Sequence, residues 1–362
     1  MGEILLITDD FYFNIDSLFY NKHNIKQLQL NNYSDYNNII KDKNINSFEN
    51  IIVLITDIMF DSIAKTSHPF NTSKHGLDNL FNDNEDLFFN NFNKFFKNFP
   101  TKTKYVLVDN NPESPMKPIE RFIFKWLELS PNNYFISSRF NSVNHPNALV
   151  GLVYLSLFYG FYQQNFHKYP KLDYAQPCNT KHNFITFLGH SSKPDKIEFR
   201  LNFLKELFKD RINQIKYETD SEKKLGLKYY KQPSLSGHEW NLLESLSVKI
   251  QLIFETINPL KEYHDGYFFS EKTMKLFLLP HPYFLLAHGT ALMELEKFGF
   301  KFPIKCFSFD DYLNSINTIL EDVDKWVSEN YKLFHHNQDN FYEMVNSIEL
   351  PHHLFFDKII NA

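Results

Sequence analysis

Short apolar runs alternate with amphipathic helical patterns along the chain, and this alternation constrains the fold more than any other feature. Strands that are apolar along their whole length are buried on both faces, so helices must cover both faces of the sheet they form. In the first half the strand-like runs are Ile4 to Thr8, Ile51 to Thr56, Tyr105 to Val108 and Tyr134 to Ser137. Between the second and third of these, Phe88, Phe92, Phe95, Phe96 and Phe99 recur at helical spacing, with Asn82 and Glu85 placed as a capping pair and Pro100 as the stop. A second helix opens at Pro118 and repeats Ile119, Phe122, Ile123, Trp126 and Leu127 before a turn at Ser130-Pro131-Asn132-Asn133. The series then starts again. Asn183 to Leu188 reads as strand, Asp195 to Phe208 as helix, Ile212 to Tyr217 and Val248 to Phe254 as strands, and a helix begins at about Glu271.

A chain of 362 residues is long enough for two such units. The best break is the Pro-bearing, polar stretch from Tyr169-Pro170-Lys171 to Cys178-Asn179-Thr180. The expected organisation is an N-terminal α/β domain over 1–168, a linker over 169–182, a second α/β domain over 183–330 and a helical tail over 331–362. The apolar run from Ala148 to Tyr162 is expected as a buried helix, being short of the roughly 20 residues a membrane span needs. A strand-like Glu3 to Thr8 stands where a secretory signal would carry a basic and then an apolar region, so a cytoplasmic location is expected. Cys178 and Cys306 stand apart without metal-ligand spacing and read as small buried hydrophobes. A formal charge of -5 gives no global attraction to nucleic acid, although Lys117, Arg121, Lys125 and Arg139 could line a local phosphate-tracking groove.

The chemically informative stretch is Phe254-Glu255-Thr256, a loop, and then Gly266-Tyr267-Phe268-Phe269-Ser270-Glu271-Lys272-Thr273. A strand ends in a carboxylate, a glycine-bearing loop follows, and Ser270 can cap a helix. That order suits a nucleoside diphosphate. Glu255 can accept hydrogen bonds from ribose hydroxyls, while the helix N-terminus and Lys272 in its first turn offer N–H groups and positive charge to phosphate. Gly189, at the end of its strand, would let backbone approach the diphosphate.

This stretch resembles the donor-binding signature of α-1,3-fucosyltransferases, in which F-E-N/T is followed by G-Y-V-T-E-K. It is also similar to a broader group of viral and bacterial glycosyltransferase-like proteins, whose S/T-E-K-T helix is followed by a strand and a glycine-bearing turn; here that continuation is Pro282 to Thr290, with His288 beside Gly289. The resemblance covers about residues 183 to 320, and the loop Ile257 to His264 is longer than in the fucosyltransferases. It implies an α/β fold of the GT-B type, with two Rossmann-like domains facing a cleft and a C-terminal helix crossing back. It also implies a nucleotide sugar as co-substrate and transfer to an acceptor hydroxyl, on a glycan or, through the virus-like relatives, on a hydroxymethylated DNA base. The donor set would be Arg200, Lys196, Gly189, Glu255, Tyr267, Ser270, Glu271, Lys272 and His288.

The acceptor needs a base, and the candidates are carboxylates at strand ends of the first domain, in the order Asp57, Asp10 and Asp109, with Asp9 and Asp61 beside them. A metal is not expected. Asp322-Val323-Asp324 spells a metal-binding pattern but falls in a helical one with Leu320, Trp326 and Val327. His335-His336 and His352-His353 lack the spacing of a helical metal site and read as surface imidazoles. The rival to an enzyme is a non-catalytic descendant that keeps the fold as a binding or virion-associated module.

Overall fold

The computed structural model describes residues 3–8, 23–29, 43–55, 85–97, 99–109, 117–137, 143–151, 182–189, 194–219, 248–255, 259–260, 269, 273, 276–346 and 351–362. The chain divides into two compact units, one comprising Met1–Phe166, Tyr263–Phe268 and Ser347–Ala362, the other His167–Glu262 and Phe269–Asn346. Both are α/β, each built on a wholly parallel sheet of Rossmann-like type.

In the first unit the strands are β1 (Ile4–Thr8), β2 (Ile25–Gln29), β3 (Asn50–Ile55), β4 (Lys104–Asp109), β5 (Asn133–Ser137) and β6 (Ala148–Val150), in the order β2-β1-β3-β4-β5-β6. Helices α1 (Glu85–Phe96) and α2 (Lys117–Leu129) cover one face. The phenylalanine stripe does the covering: Phe88, Phe92 and Phe96 are buried, and Phe92 meets Trp126 of α2 edge to face at 4.8 Å. Phe99 is also buried but lies past the end of the helix, which stops at Phe96 and not at Pro100. The Trp126 indole N–H donates to the Tyr134 carbonyl at 2.9 Å, tying α2 to β5.

The opposite face of this sheet carries Ile4, Leu6, Ile52, Leu54, Val106, Val108, Tyr134 and Ile136, all buried. Helix α7 (Pro351–Asn361) covers them with Phe355, Phe356 and Ile359. Polar ties fix its seat. Lys358 donates to the Pro146 carbonyl, His23 and Asp357 meet at 2.8 Å, and Lys104, a buried amine whose pKa burial lowers, donates to Asn50 Oδ1 at 2.9 Å and to the Ile360 carbonyl at 3.4 Å. The C-terminal part of the chain thus divides, its last helix returning to the first sheet. His353 is buried within this helix, against the expectation of a surface imidazole, because it lies three residues before Phe356 and so shares its buried face.

The second unit has β7 (Phe184–Gly189), β8 (Ile215–Thr219), β9 (Ile250–Phe254) and β10 (Tyr283–Leu286) in the order β10-β9-β7-β8. Helix α3 (Pro194–Phe208) lies on one face, where Phe208 packs on Phe184 and Phe203 on Phe254. Helix α4 (Gly289–Glu296) follows β10, and α5 (Phe309–Glu321) joins α3, with Tyr312 against Phe203 and Phe284. Helix α6 (Val323–Asn346) sits on the other face, where Phe334 and Asn337 reach Tyr283. His335 and His336 of α6 are half-buried, and His336 Nε2 meets the Gly299 carbonyl at 2.9 Å, so they are not free surface imidazoles either.

Three further expectations are corrected. Ala148 to Val150 is an edge strand, not the start of a helix; the rest of that apolar run lies outside the described residues. The residues Lys209–Gln214 form a 3-10 helix, which delays β8 to Ile215. Asp322 stands between helices α5 and α6 and not within one, where its carboxylate accepts the Lys325 N–H at 3.0 Å, and Asp324 pairs with Lys249 at 2.7 Å. Both carboxylates have structural partners. Among the described residues no group of three or more metal-ligating side chains forms, and no helix is long and apolar enough to cross a membrane.

His281, just before β10, is 1% exposed, and its burial lowers its pKa to about 4, an effect that the Val248 backbone partly offsets. Above the ordinary pKa of about 6.5 the ring is neutral folded or unfolded. Below it the unfolded chain gains a proton that the folded chain refuses until about pH 4. Denaturant titrations at pH 7.5 and pH 4.5 should therefore show a loss of about 3 kcal/mol, to be largely removed in His281→Leu. An equal loss in the variant assigns the acid sensitivity elsewhere.

Candidate functional site

The strand order of the second sheet places a reversal between β7 and β9: the chain leaves β7 for β8 on one side and returns for β9 on the other. At such a reversal the crevice outside the carboxyl ends of the strands is where open α/β sheets receive ligands. Gly189 ends β7, Glu255 follows the last residue of β9, and His288 stands two residues beyond β10. All three stand at the carboxyl edge of the same sheet.

Arg200 and Glu255 are held together. Arg200 projects from the second turn of α3, is buried, and donates from Nη2 to the Glu255 carbonyl at 3.3 Å. Its guanidinium carbon lies 5.9 Å from the centre of the Phe254 ring, a cation over the last residue of β9. The Glu255 carboxylate, 3% exposed, accepts the hydroxyl of Thr273 on Oε1. Thr273 is helical and fully buried. A charge so nearly buried requires donors, and the hydroxyl supplies one. Sequence reasoning passed over Thr273, although it is the residue next to Lys272 in the quoted motif; burial beside a carboxylate was the missing information.

His288 caps α4. Its Nδ1 accepts the Thr290 N–H at 3.4 Å and meets Thr290 Oγ1 at 2.8 Å. A backbone N–H can only donate, so Nδ1 is the acceptor in that contact. The next segment adds to this edge: Cys306 bridges His288 in parallel, and Gly289 N–H donates to the Cys306 carbonyl at 2.7 Å. Burial pushes the Cys306 thiol up to about 11, so it remains a protonated, unreactive group at neutral pH.

At the carboxyl edge of the first sheet Asp109 ends β4, is 1% exposed, and accepts the Ser137 hydroxyl of β5 at 2.8 Å. Asp57, Asp10, Tyr267, Ser270, Glu271 and Lys272 lie outside the described residues, as does the side chain of Lys196, whose backbone is in α3. Of the basic set, Lys125 pairs with Asp86 at 3.2 Å and stands over the Phe89 ring, while Arg121 is exposed; the Lys117 side chain and Arg139 are outside the described residues.

No family model matches the chain, and no curated protein matches it. Among solved structures it is similar to a spinosyn rhamnosyltransferase, SpnG, with a TM-score of 0.40 and 7% identity, over 100% of each chain.

Thr273→Val keeps the shape of the side chain and removes the donor to Glu255. Chemical denaturation should show a loss of about 1 to 3 kcal/mol, the cost of leaving a buried acceptor short of a hydrogen bond. Pairing it with Glu255→Gln should give less than the sum of the two losses, because both act on one interaction.

Proposed function

We propose that the chain is a glycosyltransferase that takes its sugar from a nucleoside diphosphate sugar bound at the carboxyl edge of the second sheet. The observation that carries this reading is the grouping of Arg200, Glu255 and Thr273 at the end of β9, with His288 at the head of α4 beside it. A cation, a carboxylate and a helix N-terminus at the carboxyl edge of a parallel sheet suit a nucleoside diphosphate, which supports this reading. The fucosyltransferase-like order of Phe254-Glu255-Thr256 and Gly266 to Lys272 supports the same assignment.

In this reading Glu255 takes the ribose hydroxyls, and Arg200, Lys272 and the helix N-termini neutralise the diphosphate, with Gly189, Tyr267, Ser270 and Glu271 completing the donor set. Negative charge on the leaving diphosphate grows as the glycosidic bond breaks, so these cations act most strongly in the transition state, and transfer needs no metal. The acceptor is a glycan hydroxyl, deprotonated by a carboxylate of the first unit, for which Asp57, Asp10 and Asp109 are the candidates. The residue range 1–168 then serves the acceptor and 183–330 the donor.

Lys272→Ala tests the donor site. It should weaken nucleoside diphosphate binding and slow transfer further, by about 2 to 4 kcal/mol of transition-state stabilisation, while Lys275→Ala, three residues on, stays near wild type. Equal, near-native behaviour of both removes the assignment. Purified chain that binds nucleotide sugars yet neither transfers nor hydrolyses them would instead be a binding module. Steeply salt-dependent DNA binding with sugar transfer to a hydroxymethylated base would replace the glycan acceptor.

A further inference from the structure

Glu255 is held from two directions. Arg200 Nη2 donates to its carbonyl at 3.3 Å, and the guanidinium lies over the ring of Phe254, which fixes the backbone where β9 ends. The Thr273 hydroxyl, from a segment 18 residues on, donates to carboxylate Oε1. Each contact settles a different part of the residue. A Glu carboxylate turns about a terminal torsion that is intrinsically broad and roughly two-fold, so holding the main chain leaves its plane undefined. The donor on Oε1 defines it.

Thr273 is itself well anchored. Thr273, Leu276 and Phe277 are helical and almost wholly buried, at the spacing of three and four that puts them on one helix face. Phe277 stacks on Phe300 at 4.2 Å, and Gln338 of α6 donates to the Leu278 carbonyl at 2.9 Å, where the helical segment ends. A β-branched side chain on a helix has few χ1 states, so the backbone that these contacts hold sets the direction of the hydroxyl. The vicinal hydroxyls of a ribose are two donors side by side, and a carboxylate receives both only when its plane is turned toward them. We infer that Thr273 is a positioning residue for the donor nucleotide: through Oε1 it holds the Glu255 carboxylate in the plane that accepts the ribose hydroxyls, and so sets the preference for a hydroxylated sugar ring next to the diphosphate.

This rests on the donor-site reading, and titration of the full chain with matched pairs separates the two. The probes are uridine, guanosine, adenosine and thymidine diphosphates, each beside its dideoxy form. For the nucleotide that binds, removal of the ring hydroxyls should weaken wild-type binding about ten- to a hundredfold, the worth of hydrogen bonds to a charged acceptor. Thr273→Val should cut that ratio to about twofold by weakening the hydroxylated form and sparing the dideoxy form, and Thr273→Ser, which restores the hydroxyl, should bring most of it back. Leu276→Val loosens the same buried face without touching the hydroxyl and should keep the wild-type ratio. If the valine variant does not fold, Thr273→Cys takes its place, its thiol being too weak a donor. A wild type that binds both forms alike overturns the positioning role and leaves a diphosphate site standing, as does a Thr273→Val that keeps the ratio or a Thr273→Ser that does not restore it. Equal losses for both forms in Thr273→Val, or the same collapse of the ratio in Leu276→Val, make the residue structural and overturn the role as well. A wild type that binds none of the diphosphates removes the donor site and the role of Thr273 together.

Discussion

Burial of parallel strands on both faces is the constraint on which the rest depends. β1, β3, β5 and β9 are almost entirely buried residue by residue, which an edge or one-sided sheet would not require. With both faces committed to helices, side chains that act on a ligand can emerge only where strands end. This is why Glu255 and His288 stand just past the last residues of their strands, and why Asp109 and Ser137 are the last residues of theirs. Chemistry is confined to the rim by the hydrophobic effect.

The strands that were legible in the sequence are those buried on both faces. Ile4 to Ile7 and Ile51 to Ile55 are unbroken apolar runs. The strands that were not legible lie at the borders of the first sheet: Ile25–Gln29 alternates apolar with polar residues, and Ala148–Val150 has three half-buried residues in front of a longer apolar run. An edge strand needs one neighbour and little burial, so its pattern is weak.

The candidate site was legible to the extent that its residues share local order. Glu255 could be singled out because it ends a strand, and Arg200 because the family resemblance puts a basic residue after the first strand of this domain. What holds them could not be read. The Thr273 hydroxyl is 18 residues from its carboxylate and the Glu255 carbonyl is 55 residues from its guanidinium, separations at which no periodicity operates.

The seat of α7 on the first sheet has a consequence for biosynthesis. Its lysine contact to Pro146 joins residues 212 apart along the chain, and the second unit is encoded between them. At translation rates of about 5 to 20 residues per second, that interval lasts about 10 to 40 s. Throughout it, the β1-β3-β4-β5 face that α7 covers is synthesised without its lid, so the sheet made first is the one completed last. Until α7 emerges, that apolar face of the nascent chain lacks the helix that covers it in the finished fold.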